Sequence, residues 1–337
     1  MSRRATIADV ARLAGVHPGT VSRALNSGTE GQVNPETIRR VRAAARQLGY
    51  TPNSIARGLR TSSSTTIGVI IPDLTNPIFP PMVRGIESYL APRGFSALVV
   101  NTDGSDTTEQ LVFQSLIQRQ VDGLIFATGH QGHATATESF DLGLKAVMVN
   151  RESGGVPYPA VVGDDAQGIR AALEHLAGLG HRRIVHLAGP LALSTSQVRR
   201  DAFVAGCASL GLDGTVIETA AYSVDEGLRA MDQVIGFGGA LSTAVIAGND
   251  LLALGVYRSL RTNGLRCPDD VSVVGFNDML FAGDFEPAMT TVRVPHFELG
   301  VEAARLLCEE IETSVITAIK VVLPVELVVR ASTARTR

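Results

Sequence analysis

Thr6-Ile-Ala-Asp-Val-Ala-Arg-Leu-Ala-Gly15-Val-His-Pro-Gly-Thr20-Val-Ser-Arg-Ala-Leu25-Asn26 reads as two short helices joined by a tight turn at Ala14-Gly15-Val16. Thr6 with Asp9 makes a capping-box-like start, satisfying N–H groups that a first helical turn leaves unpaired. Ile7, Val10, Ala11 and Ala14 recur at helical spacing on one face. Gly15 falls where the first helix must stop, a position suited to positive φ. Pro18 suits the first turn of the second helix, where its missing N–H costs nothing. This is helix-turn-helix spacing, and the motif seats its second helix in the DNA major groove. A third helix follows. Asn34 is its N-cap, Pro35 its first residue, Ile38, Val41, Ala45 and Leu48 its apolar stripe, and Gly49 its end. Residues 1–50 are therefore predicted to form an all-α DNA-binding headpiece.

The charge distribution supports that reading. Residues 1–62 hold ten arginines and three acidic residues, a net +7. The overall formal charge is −3, which leaves −10 to the remainder. A basic head on an acidic body is what a polyanion-binding unit joined to a non-binding one looks like.

Outward from the headpiece, Thr51–Arg60 has length for about two helical turns, weakened by Gly58. Thr61-Ser-Ser-Ser-Thr-Thr66 is a polar linker, so 51–66 is read as hinge helix and linker. From Ile67 apolar runs alternate with helical patterns. The runs are Ile67–Ile71, Ala97–Val100, Gly123–Phe126, Ala146–Val149, Ile184–Leu187, Ala244–Ala247 and Val271–Val274, with a helix around Met82–Arg93. Such βαβ alternation predicts an α/β core of parallel sheets covered on both faces. Asp73, Asn101, Asn150-Arg151, Asn249-Asp250 and Asn277-Asp278 end the runs, and ligands bind at that edge of doubly wound sheets. The number of strands favours two lobes facing across a cleft.

Composition excludes other classes. The 337 residues are 45% hydrophobic, enough for a sizeable core, with no apolar run of roughly 18 residues to span a membrane. The N-terminus lacks the apolar segment of a secretory signal. Cys207, Cys267 and Cys308 are far apart and odd in number, and are read as three buried thiols of a reducing cytoplasm. None of the seven histidines stands in an H-E-x-x-H pattern. His130 and His133 lie in a Gly/Thr-rich segment read as a surface loop, so no metal is expected. There is no G-x-G-x-x-G after the first strand, no P-loop and no G-x-S-x-G, so neither a cofactor nor enzymatic activity is expected. Gly236-Phe-Gly-Gly239 precedes its strand, the wrong side for cradling phosphate. An exported solute-binding protein would explain the core, but would need a signal peptide and no headpiece.

Specific motifs recur along the chain: Thr6-Ile-Ala-Asp-Val-Ala, Gly15-Val, Thr20-Val-Ser-Arg23, Gly49-Tyr50-x-Pro52-Asn53, Ala56-x-x-Leu59 and Ile67-Gly-Val. Val121-Asp-Gly123, Gly180-His181-Arg-Arg-Ile184, Ala247-x-Asn249-Asp250, Val274-Gly275-Phe276 and Pro287-x-x-Thr290-Thr291 follow. In this order the chain resembles the lactose-repressor (LacI/GalR) family of bacterial transcription regulators over nearly its whole length. The resemblance implies a headpiece, a hinge helix and a two-lobed core like periplasmic sugar-binding proteins, assembled as a homodimer. It places the lobes at 67–162 plus 293–322 and 163–292 plus 323–330, within a core of 67–337 that binds effector and dimerises. It implies a cytoplasmic, nucleoid-associated regulator, most often a repressor of a catabolic or transport operon. Its partners are pseudo-palindromic operator DNA and a small effector, with no membrane.

The resemblance also assigns residues. Thr6, His17, Pro18, Gly19, Thr20, Ser22, Arg23, Asn26, Asn53, Ala56 and Leu59 would meet DNA. Pro18 and Gly19 offer no side-chain hydrogen bonds, so base reading narrows to Arg23, with His17 and Asn26. His17 stands where Ser or Thr is usual and is expected to cap its helix poorly. Leu59 would wedge into the minor groove and kink it. Asp73, Phe79, Asn150, Arg151, Arg199, Asn249 and Asn277 would face the effector, with Arg199 projecting from the start of a second-lobe helix. Asn150 and Asn277 replace aspartates common in sugar-binding members. With Arg151 and Arg199 kept, this tilts the cleft toward a carboxylate effector.

Overall fold

The computed structural model describes residues 5–25, 30–50, 63–236, 242–313 and 318–336. Contacts divide the chain into two compact units, Met1–Ser64 and Thr65–Arg337. Asn26, Asn53, Ala56, Leu59, most of the hinge segment and Phe237–Gly239 lie outside the described residues.

The first unit is built from α1 (Ile7–Ala14), α2 (Pro18–Ala24) and α3 (Pro35–Gln47). Val10, Ala11, Ala14, Val21, Ala24, Val41, Ala44 and Ala45 form its small core, ringed by Ile7, Val16, Leu25, Val33, Ile38 and Tyr50. Small buried side chains let three short helices approach closely; none would be stable alone. Leu48 ends the expected stripe of α3 but is exposed. Ala44 takes the inward position instead.

The second unit holds two six-stranded sheets. In chain order its elements are β1 (Thr66–Ile71), α4 (Phe79–Leu90), β2 (Ser96–Asn101), α5 (Asp106–Gln118), β3 (Gly123–Phe126), α6 (Ala134–Asp141), β4 (Ala146–Val149) and β5 (Ala160–Gly163). Then come α7 (Asp165–Gly178), β6 (Arg183–Ala188), α8 (Ser194–Leu210), β7 (Asp213–Glu218), α9 (Val224–Gly236), β8 (Ala244–Ala247), α10 (Asp250–Thr262), β9 (Ser272–Asn277) and β10 (Thr290–Arg293). The described chain closes with α11 (His296–Thr313), β11 (Lys320–Leu323) and β12 (Glu326–Val328).

One sheet runs β11-β5-β4-β3-β1-β2 and the other β12-β10-β9-β8-β6-β7. Every strand pair is parallel except β10 with β12. The chain passes between sheets after β5, after β10 and after β11, so each lobe is discontinuous in sequence. In both sheets the strand order reverses at the first strand, β1 or β6, and a crevice opens there at the carboxyl ends. All seven expected apolar runs are strands, the last shifted to begin at Ser272. The expected helix at Met82–Arg93 begins earlier, at Phe79, and gives way to a 3-10 turn at Ala91–Arg93.

Each lobe is held by one unusually close helix crossing. A Cβ on Gly85 of α4 would fall on the Phe297 carbonyl of α11, and a Cβ on Gly300 of α11 on the Met82 carbonyl of α4. The second lobe repeats the device. Gly227 of α9 meets the Leu252 backbone of α10, and Gly255 of α10 meets Val224.

Candidate functional site: a helix edge and an interlobe cleft

In the headpiece, Thr6 caps α1. Asp9 N–H donates to Thr6 Oγ1 (3.4 Å), while Asp9 Oδ2 accepts from the Thr6 N–H (3.0 Å) and hydroxyl (2.6 Å). Gly15 ends α1 at φ 66°. His17 corrects the expectation of a poor cap, because its Nδ1 accepts from Gly19 N–H at 3.1 Å. In the neutral ring this places the proton on Nε2, a donor free to face a partner. Val21 and Ala24 turn α2 inward, leaving His17, Gly19 and Arg23 exposed and Pro18, Thr20 and Ser22 half-buried along one edge. Arg39, Arg40, Arg42 and Arg46 are exposed on α3. The edge of α2 is therefore short and accessible.

In the core, a cleft of about 700 Å³ lies between the lobes. Its walls come from the carboxyl ends of β1, β2, β3 and β4 on one side and of β6 and β7 on the other. Of the expected effector residues, Asp73, Phe79 and Arg151 line it. Asn150 lines a smaller pocket of about 280 Å³ beside Glu152, Asp165 and Lys320. Tyr222 closes part of the second-lobe wall; its hydroxyl bonds Ser196 Oγ at 2.7 Å. Sequence reading missed Tyr222, which lies in a loop with no motif around it. The lobes are tied at this level by Gln131 N–H donating to Ala192 O (3.0 Å) and Glu152 N–H donating to Ser194 Oγ (2.9 Å).

Arg199, Asn249 and Asn277 are buried away from that wall. Arg199 does sit in the second turn of α8, but its fork is taken. Nε and Nη2 donate to Asp165 Oδ1 (3.1 and 2.8 Å), Nη1 donates to Gly248 O (2.6 Å), and the guanidinium stacks on Phe276 at 3.7 Å. Asn249 caps α10 by accepting from Leu252 N–H at 2.8 Å. Asn277 adopts φ 115°, a strained conformation for a residue with a side chain. Beside Arg199, burial pushes His296 down to about 3, with the Arg199 charge acting in the same direction.

Arg151 differs from Arg199. It is nine-tenths buried, and its Nε has no hydrogen-bond partner. Burial lowers its pKa, partly offset by Tyr222 and reinforced by the nearby Arg199.

His133 corrects the surface-loop expectation. It is buried at the start of α6, with Nε2 2.5 Å from Glu109 Oε1, which also accepts from Thr128 Oγ1 at 3.0 Å. The His130 ring packs against it, tilted by 49° with centroids 4.7 Å apart, and faces Asp106 at 3.2 Å. Cys207 and Cys308 are buried, but Cys267 is only half-buried. Among the described residues no group of His, Cys, Asp or Glu could hold a metal ion, and no helix is long and apolar enough to cross a membrane.

Residues 6–53 match the model of bacterial regulatory proteins of the lacI family, and residues 173–333 match a periplasmic binding protein-like domain. The ribose operon repressor of Bacillus subtilis is 33% identical over 329 residues, covering 98% of both chains. A Lac repressor dimer solved with operator and the anti-inducer ONPF superposes with a TM-score of 0.88 at 28% identity, covering 98% of this chain and all of that one. A LacI family regulator from Enterococcus faecium, solved with bound ribose, covers 81% of this chain and all of its own, with a TM-score of 0.71 and 28% identity.

Proposed function

The chain belongs to the lacI family of bacterial regulatory proteins, and from that we propose a repressor whose grip on operator DNA is set by a small molecule in the interlobe cleft. The observation that carries the proposal is that one chain joins a helix-turn-helix with an accessible α2 edge to a cleft walled by strand ends of two lobes. A solute-binding protein needs only the cleft, and a constitutive DNA-binding protein only the helices. The relatives support the same pairing. One is named a ribose operon repressor, and the Lac repressor was solved as a dimer on operator DNA.

In this reading two headpieces on a homodimer read the half-sites of a pseudo-palindrome. Leu280 and Phe281 support association, being apolar side chains 70% and 63% exposed on the loop after β9. Residues 51–66 serve as the hinge, with Leu59 as the minor-groove wedge. Ligand changes how the lobes sit and so biases the grip on DNA. A coupling of about 1–3 kcal/mol is enough for a useful switch. In the headpiece Arg23 supplies the base-reading guanidinium, while Thr6, Thr20 and Ser22 hold phosphates.

The test is selection of bound duplexes from a random-sequence library by the full chain. Enrichment of a two-fold symmetric site, whose affinity then changes about 5- to 150-fold on adding a cleft ligand, is the expected result. Enrichment of no symmetric site, or a site indifferent to every ligand that stabilises the core, overturns the proposal.

A further inference from the structure

The effector cleft is chemically incomplete at Arg151. Its guanidinium lines the cavity, yet no carboxylate among the described residues pairs with it and no hydrogen bond satisfies it. Isolated buried charges are strongly disfavoured, so folded chains pair them or keep them for a partner. Nothing nearby compensates. Arg199 is committed to Asp165, and the Tyr222 hydroxyl is bonded to Ser196.

The same cavity is lined by Asp73, Asp103, Asp106 and Glu109, all in the first lobe. Three of them have one oxygen held by hydrogen bonds. Asp73 Oδ1 accepts from the Thr75 N–H and hydroxyl, Asp103 Oδ1 from Asn101, and Glu109 Oε1 is held by Thr128 and His133; Asp106 Oδ1 faces His130. The second oxygen of each has no partner among the described residues. Thr102 Oγ1, fully buried in the same wall, is also without one. The cleft therefore offers one anion receptor and several hydrogen-bond acceptors.

On the reading of this cleft as the effector site, we infer that the effector is a polyhydroxylated carboxylate, a sugar acid. Its carboxylate seats on Arg151 and its hydroxyls donate to the free oxygens of the acidic wall. A neutral sugar meets the acceptors, and its hydroxyl oxygens accept from the guanidinium, but it brings no negative charge to balance it. A plain carboxylate meets the guanidinium and leaves the acceptors bare. An amino acid would set its ammonium against the acidic wall, and it is the competitor the experiment must separate.

Calorimetry and thermal shift on the full chain test this with four groups of probes: D-gluconate, D-galactonate, D-glucuronate and D-galacturonate; D-glucose and D-galactose; acetate; and L-serine and L-glutamate. At least one sugar acid is expected to bind ten or more times tighter than its uncharged sugar, with acetate and the amino acids silent. Arg151→Gln is expected to weaken that acid at least 30-fold. Arg151→Met removes an unpaired buried charge, so it is expected to raise the melting temperature of the ligand-free chain while abolishing the acid-induced shift. Silence of all four acids overturns the inference, as does binding of an amino acid in their place, affinity within threefold in Arg151→Gln, or a lowered melting temperature in ligand-free Arg151→Met. An uncharged sugar that binds and alters operator affinity regardless of Arg151 overturns the inference and leaves the proposed function standing. Operator binding that responds to no ligand strikes the proposed function itself.

Discussion

His17 combines two tasks that substitution can separate. Its Nδ1 caps α2 and its Nε2 faces outward. His17→Ala removes both, and loss of an N-cap costs about 1 kcal/mol. His17→Asn restores a capping oxygen without the ring. If the imidazole reads DNA, His17→Asn keeps the headpiece's melting temperature but alters the selected half-site; unchanged preference would leave His17 a cap alone. Arg23 on the same edge supplies the larger effect, about 1–3 kcal/mol of discrimination if its fork grips a guanine. The ends of α1 were legible in sequence because capping and turn chemistry act over three or four positions: Thr6, Asp9 and Gly15 declare themselves to their neighbours, whereas the His17 cap was not read. His133 was not legible. Its partner Glu109 is 24 residues away, and only the packing of α5 against α6 brings the two together. Arg199 was read as facing the effector, and its burial and commitment to Asp165, 34 residues distant, were not legible.

Among the elements, the strands legible in sequence were those with an apolar run of four or five residues, interrupted at most by one Gly, Ser or His, including β2 at a sheet edge. β5 (Ala-Val-Val-Gly), β7 (Asp-Gly-Thr-Val-Ile-Glu), β10 (Thr-Thr-Val-Arg), β11 (Lys-Val-Val-Leu) and β12 (Glu-Leu-Val) escaped because none carries a run that long, whether at a sheet edge or, like β5 and β10, inside the sheet. The helix crossings escaped for another reason: a glycine inside a helical pattern says nothing about which backbone approaches it. At α4 with α11, and at α9 with α10, the neighbour is a carbonyl or backbone atom, which cannot rotate aside as a side chain does. Gly300→Ala and Gly255→Ala are therefore expected to cost at least the roughly 1–3 kcal/mol typical of overpacking. Urea unfolding would read this as a lower midpoint. Gly178→Ala, whose new methyl meets open space in α7, serves as control. A midpoint in Gly300→Ala equal to the control's would mean that the crossing yields easily.

The acid response of the whole molecule follows from groups whose charged forms the fold excludes. Burial pushes His186 down to about 4 and His296 to about 3, from an ordinary 6.5. As pH falls below 6.5 the unfolded chain takes up these protons and the folded chain does not, so stability is lost on acidification. The loss approaches about 1.4 kcal/mol per pH unit for each histidine. His175 and His181, lowered mainly by burial, act in the same direction. Asp250 opposes them. Burial raises its carboxyl to about 7 although it accepts from Met279 N–H and the Thr291 hydroxyl, so the folded chain holds a proton that the unfolded chain releases near 3.8. Its contribution to stability therefore grows as pH falls from about 7 toward 4, again by about 1.4 kcal/mol per unit. Between pH 6 and 5 two strongly shifted histidines outweigh one aspartate, for a net loss of about 1.4 kcal/mol per unit. Between pH 6.5 and 7 the unfolded histidines and folded Asp250 lose protons together, so the two effects come to balance near pH 7. Chemical denaturation across pH 5–8 is thus expected to show a steep acid side and a shallow maximum near pH 7. Asp250→Asn should flatten the neutral side, and His296→Gln should make the acid side shallower. Stability that rises from pH 6 to 5 would show that the aspartate, not the histidines, governs the core.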